Sequence, residues 1–132
     1  MLDVNVLVAA LLARDGAPAR LLLRWLSGDF ELIVSDKLLD ELNRALSYPK
    51  VRSRVPEADA SAFLYLIETT ATKALDPERP QRRSRDAADD YVLELASSTA
   101  AAVVTGDRDL LDLSSTLPVY SPAKFHTMLD SE

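Results

Sequence analysis

The stretch AAVVTGDRDLLDL, residues 101–113, predicts a buried strand that leads through a turn into a short helix. Ala101–Thr105 is a compact run of small and β-branched residues, which is typical of a strand covered on both faces. Gly106 and Asp107 interrupt the run, and the leucines that follow favour a short helix through Leu113. Asp107 is therefore expected just beyond the end of a buried strand.

Outward from this stretch, strands and helices alternate along the chain. Ser35 is a good N-cap for one helix, and Pro18 and Pro122 suit the first turns of two others. We predict strands at residues 2–5, 31–34, 72–75, 101–105 and 118–120, and helices at 6–13, 19–27, 36–47, 57–72, 88–98 and 122–129, with an irregular segment at 51–56. Strands separated by helices need crossover connections. The sequence therefore predicts a single domain over residues 1–132, a three-layer α/β/α fold with a mostly parallel central sheet.

Composition excludes several classes of site. The 132 residues include no cysteine and one histidine, which excludes disulfides, zinc ribbons, iron–sulfur clusters and thiol catalysis. The longest apolar run is far short of the ~20 residues that span a bilayer, and Asp3 stands where a signal peptide would be basic. We therefore expect a cytoplasmic protein. The net charge of −6 argues only weakly against a nucleic-acid partner, because several acids could belong to one metal site.

Four carboxylates lie at or near the predicted strand ends. Asp3 lies within the exit of the first predicted strand, and Asp107 lies two residues past the end of another. Glu41 lies in the helix after the second strand, and Asp89 lies near the start of a later helix. Ligands in such sheets bind beyond the carboxyl ends of the strands. Oxygen ligands suit Mg²⁺ or Mn²⁺, and such clusters support phosphoryl transfer. Taken singly, each acid could also be a solvated surface residue or a helix N-cap.

Four segments in order resemble the motifs of the PIN domain family. LDVNVLV (residues 2–8) resembles its opening, and VVTGDRDL (103–110) resembles its later hydrophobic–hydrophobic–Thr–x–Asp hallmark. Residues 35–41 and 89–96 resemble the segments that carry its second and third acids. The resemblance covers essentially the whole chain. Residues 46–50 and 120–125 are similar to a branch of toxin components of toxin–antitoxin pairs.

The resemblance implies an acidic quartet and a chemistry. By position, the quartet falls on Asp3, Glu41, Asp89 and Asp107, with Asn5 and Thr105 in supporting roles, and with Asp86, Asp90 and Asp109 as nearby alternates. Asp89 is preferred because it lies seven residues before Ala96. The implied activity is hydrolysis of single-stranded RNA by water attack, with Mg²⁺ or Mn²⁺ as cofactor. A cognate antitoxin and a homo-oligomer are the implied protein partners, and no membrane is expected.

Other interpretations stay open at this point. Arg82, Arg83 and Arg85, in the loop before Asp89, either bind flanking phosphates or are solvated. A haloacid-dehalogenase-type phosphatase would have Asp-x-Asp where this chain has Asp3-x-Asn5, and a receiver domain would have a lysine near the final strand end. The stronger alternative is a catalytically silent PIN-like module that binds an antitoxin or RNA.

The predicted first strand is unusually short ahead of its acid. Only Met1 and Leu2 precede Asp3. These two residues provide under ~10 Å of strand, whereas a strand is usually ~17–20 Å long. We therefore expect that the natural reading frame begins a few codons upstream, or that the chain is a shortened form.

Overall fold

A computed structural model describes residues 1–78 and 87–131 of the chain, and the side chains of 1–78 and 90–131. The elements are α1 (Val4–Leu12), α2 (Ala17–Leu26), β1 (Ile33–Val34), α3 (Asp36–Leu46), α4 (Pro49–Arg52), α5 (Glu57–Thr70), β2 (Thr72–Lys73), α6 (Ala87–Ser98), β3 (Val103–Val104), α7 (Arg108–Leu111), β4 (Val119–Tyr120) and α8 (Pro122–Asp130). The predicted α/β fold is confirmed, with strands shorter than the sequence suggested.

The described strands pair in two short parallel ladders. β1 pairs with β2, with Ile33 opposite Thr72. β3 pairs with β4, with Val103 opposite Val119. On its other side β3 forms a parallel bridge with Leu2: the Val104 amide donates to the Met1 carbonyl at 2.8 Å, and the Asp3 amide donates to the Val104 carbonyl at 2.9 Å. The start of the chain and β4 thus flank β3.

The predicted strand Leu2–Asn5 is wrong beyond Asp3. The Asp3 carbonyl already accepts from the amides of Val6 and Leu7, at 2.9 and 3.1 Å, so α1 begins at Val4. Asp3 itself is the N-cap residue and has extended dihedral angles. A strand and a helix thus meet at Asp3 with no connecting loop, which places its side chain at the junction.

The segment around Pro49 also differs from the prediction. Residues 51–56 were predicted to be irregular, but Pro49 opens the short helix α4, because proline suits the first turn of a helix. The cap on α3 is as predicted: the Ser35 hydroxyl accepts from the Leu38 amide at 3.2 Å. This cap fixes the start of the helix that carries Glu41.

Apolar side chains from the strands and helices form one buried cluster beneath the strand ends. Leu2, Leu7, Leu42, Ile67 and Val104 are each at most 1% exposed. Burying a side chain of this size stabilises the fold by about 1.5–3 kcal/mol. This core holds β3 and the helices α1 and α3 together, and those elements carry Asp3, Glu41 and Asp107. In residues 1–78 and 87–131, the helices are all too short or too polar to cross a membrane.

Several predicted site residues lie outside the described part of the chain. Arg82, Arg83, Arg85 and Asp86 fall in the undescribed range 79–86. Asp89 lies on α6, but its side chain is outside the described set.

Candidate active site

Thr105 joins the two acids that follow the central strands. Its side chain is fully buried at the end of β3. Its hydroxyl donates to Oδ2 of Asp3 at 2.9 Å and accepts from the backbone amide of Asp107 at 3.0 Å. Asp3 and Asp107, 104 positions apart in the sequence, are thereby held on either side of one threonine oxygen.

Asp107 also caps the helix that follows it. Its Oδ1 accepts from the Asp109 amide at 2.9 Å, which makes Asp107 the N-cap of α7. The helix-cap interpretation and the site interpretation of this residue are therefore compatible, since the cap uses Oδ1 and a carboxylate has a second oxygen. The cap orients the carboxylate group.

The carboxylate of Asp3 is in an unfavourable electrostatic position. Burial raises the pKa of Asp3 above its usual value, and the nearby charge of Asp107 raises it further, while the Thr105 hydrogen bond opposes both effects. Both causes penalise a negative charge that has no cation beside it. A divalent cation would relieve this penalty.

Glu41 lies on α3, facing the same region. Burial raises the pKa of Glu41, the charges of Lys37 and Arg44 lower it, and the charges of Asp3 and Asp76 raise it. Glu41 and Asp3 also line one open cleft of about 350 Å³. The remaining lining residues of this cleft are Val4, Asn5, Arg44, Ala45 and Tyr48. The structure thus brings Asp3, Asn5 and Glu41 to one cleft, with Asp107 joined to Asp3 through Thr105.

A second hydrogen-bonded cluster, unpredicted from the sequence, lies next to Glu41. The hydroxyls of Ser35 and Tyr91 are 2.5 Å apart, and the Tyr91 hydroxyl donates to Oδ1 of Asp76. The Lys37 amide donates to Oδ2 of Asp76 at 3.0 Å, and the Lys37 ammonium lies 4.1 Å from the Tyr91 ring centre. Burial acts to raise the pKa of Asp76, but the hydrogen bonds from Ser35, Tyr91 and Lys37 hold it below its usual value. The cluster ties α3 to α6.

Asp76 was not among the predicted site residues, although its position in the sequence favours a place in the site. It directly follows the predicted strand at residues 72–75, so it satisfies the same rule that selected Asp3 and Asp107. The Ser35–Tyr91 contact had no such signal, because the two residues are 56 positions apart and neither lies in a motif with the other.

The side chain of Asp89, the third acid of the predicted quartet, lies outside the described part of the chain. Its neighbour Asp90, one of the alternates, is buried at 1% exposure on α6. Within the described side chains, no cluster of three or more acids or histidines stands ready to hold a metal ion. Asp3 and Asp107 are carboxylates, the donor type that Mg²⁺ and Mn²⁺ prefer, so the residues present fit such an ion.

Comparison with known proteins identifies the family. Residues 1–109 match the PIN domain, so the chain belongs to the PIN domain family. PIN domains are generally nucleases and typically depend on divalent metal ions. Membership of the family supports a nuclease-like fold for this chain.

Two individual proteins are similar to this chain at low identity. Uncharacterized protein MJ1680 of Methanocaldococcus jannaschii is 23% identical over 113 residues, which cover 86% of this chain and 73% of that protein. The crystal structure of PAE2754 from Pyrobaculum aerophilum superposes with a TM-score of 0.68 at 20% identity, covering 99% of this chain and 88% of that one. The second likeness supports the fold alone.

Proposed function

We propose that this PIN domain is a Mg²⁺- or Mn²⁺-dependent endoribonuclease that hydrolyses single-stranded RNA, with Asp3, Glu41, Asp89 and Asp107 as its acidic quartet. The observation that carries the proposal is the pairing of Asp3 with Asp107 through the buried Thr105 hydroxyl, at the end of β3 and beside the cleft that Glu41 lines. Two acids held this way, with the pKa of Asp3 raised by burial and further by the charge of Asp107, form a site that favours a cation.

The chain's own residues have distinct roles in this proposal. Asp3 and Asp107, with Asp89, hold the metal, and Glu41 serves a second ion or the attacking water. Thr105 orients the Asp3 carboxylate. Asn5, predicted to orient a strand end, is instead exposed in the first turn of α1, where it lines the cleft. When bound, the metal lowers the pKa of a water molecule and stabilises charge on the phosphate during in-line attack. The reaction needs no covalent enzyme intermediate.

The finer parts of the proposal concern the biological setting. We propose that the protein is the toxin of a toxin–antitoxin pair, is active in the cytoplasm, and binds a cognate antitoxin protein, with self-association as a further property. Similarity of residues 46–50 and 120–125 to the toxin branch of the family supports this. Arg82, Arg83 and Arg85 are proposed to bind phosphates that flank the scissile one.

The decisive experiment is cleavage of a mixed panel of RNAs with and without Mn²⁺, followed by mapping of the cleaved ends. We expect cleavage in single-stranded regions that requires the metal and is abolished in Asp3→Asn. A protein that binds the same RNAs and leaves them intact under all metal conditions would instead be the silent binding module. Growth arrest on induced expression of the wild type, absent with Asp3→Asn, tests the toxin role separately.

A further inference from the structure

We propose that Tyr48 and Arg44 form a base-binding subsite beside the acids, in which the Tyr48 ring stacks on one base of single-stranded RNA next to the scissile phosphate. This inference rests on the proposed ribonuclease function and adds to it the part of the substrate that the cleft recognises.

Four residues that line the cleft come from α3 and from the chain just after it. They are Glu41, Arg44 and Ala45 on α3, at spacings of three and four residues that a helix places on one side, and Tyr48, two residues beyond the end of α3. At a rise of ~1.5 Å per residue, Leu46, the last residue of α3, lies about 7.5 Å along the helix axis from Glu41, and Tyr48 follows this end of the helix. Tyr48 therefore shares a cleft with Asp3 and Glu41 but comes from a different part of its lining.

Tyr48 is an exposed aromatic side chain on a fixed backbone. Its side chain is 59% exposed. Its amide donates to the Ala45 carbonyl at 3.3 Å, and its carbonyl accepts from the amides of Val51 and Arg52 at 3.0 and 2.9 Å. Pro49 restricts it further, because a residue before proline favours the extended conformation that Tyr48 adopts. An exposed aromatic ring on a backbone fixed by these hydrogen bonds is better suited to binding a ligand than to packing in the core.

The charges in the cleft indicate which part of a nucleotide lies at Tyr48. Asp3 and Glu41 repel a phosphate unless a cation lies between, whereas a base is neutral and has an apolar face. Arg44 is exposed and lines the same cleft; in the described part of the chain it forms no ion pair within 4.0 Å, although its charge lowers the pKa of Glu41. Its guanidinium can therefore take the phosphate that joins the bound base to the rest of the strand. Stacking on an aromatic ring accepts any base, so we expect weak sequence preference here.

The test compares the steady-state kinetics of Tyr48→Ala, Tyr48→Leu and Tyr48→Phe on a short single-stranded RNA. Loss of one stacked base is expected to raise KM by roughly 5- to 100-fold in Tyr48→Ala, with kcat changed by less than about threefold. Tyr48→Leu keeps apolar bulk without an aromatic face and should resemble Tyr48→Ala, whereas Tyr48→Phe should resemble the wild type. Tyr65→Ala is the matched control, because Tyr65 is 69% exposed and lies on α5, outside the lining of the cleft.

Abasic substrates identify the partner of the ring. One abasic position next to the cleaved bond should raise KM for the wild type as much as Tyr48→Ala does, and should add no further loss in that variant. Wild-type KM in Tyr48→Ala and Tyr48→Leu, or losses that add at every abasic position, would overturn the subsite while leaving the ribonuclease intact. A wild type that neither binds nor cleaves single-stranded RNA would overturn the proposed function itself.

Discussion

Replacing Thr105 by valine is expected to destabilise the metal-free protein without changing the shape of the core. Valine has nearly the same volume, but it removes the hydroxyl that donates to Asp3 and accepts from the Asp107 amide. A hydrogen bond to a charged group contributes about 1.5–3 kcal/mol and a neutral one about 0.5–1.5 kcal/mol, so the loss is roughly 2–4 kcal/mol. For a domain of this size, that corresponds to a fall in Tm of roughly 7–14 °C.

The measurement is thermal and denaturant unfolding in the presence of a chelator, with Thr105→Ser as the control. Serine keeps the hydroxyl and loses one buried methyl group, which costs about 1 kcal/mol. A second readout is the pKa of Asp3, followed by NMR of its carboxyl carbon. Because the Thr105 hydrogen bond lowers this pKa, it should rise in Thr105→Val and stay near its wild-type value in Thr105→Ser. Equal stability of the valine and serine variants, with the same Asp3 pKa, would refute the role assigned to the hydroxyl.

Three further predictions concern the acids and the undescribed arginines. In chelator at pH 7, Asp3→Asn should be as stable as the wild type or slightly more stable. Because the folded-state pKa of Asp3 is raised, ionisation of Asp3 costs stability as pH rises through that pKa, so the gain of the variant should vanish in acid. A large loss of Tm in Asp3→Asn would indicate a structural role for Asp3 instead. Asp107→Asn should lose cleavage and keep the helix cap, whereas Asp107→Ala should also lose about 0.5–2 kcal/mol of stability; equal Tm values would contradict the cap. Replacing Arg82, Arg83 and Arg85 with alanine should weaken RNA binding and flatten its salt dependence by up to about one unit per lost phosphate contact, with kcat little changed. A wild-type salt slope would show that these arginines do not contact phosphates.

Local signals in the sequence were sufficient to predict several of the elements, including α3 and β3, which carry or precede site residues. The Ser35 cap, the proline at the start of α8 and the buried run before Asp107 each act within a few residues, and each is found in the structure. The junction at Asp3 shows the limit of such signals. The alternation of apolar and polar residues at positions 2–5 is compatible with a strand. The chain is nevertheless helical from Val4, and the Asp3 carbonyl accepts hydrogen bonds from the amides of Val6 and Leu7 in the first turn.

Contacts between distant parts of the chain needed the tertiary structure. Sequence motifs selected Thr105 and Asp3 separately, but only packing shows that the buried hydroxyl joins Asp3 to Asp107 across the paired strands. Likewise, the exposure of Tyr48 at the cleft depends on how α3 ends against α4, while Tyr91, another tyrosine of the same chain, is buried against Ser35. Residue type and spacing determine which chemistry is available and which helix or strand carries it. Which side chains meet, and which remain open to a ligand, depends on burial and long-range hydrogen bonds, because these arise only when elements far apart in the sequence pack together.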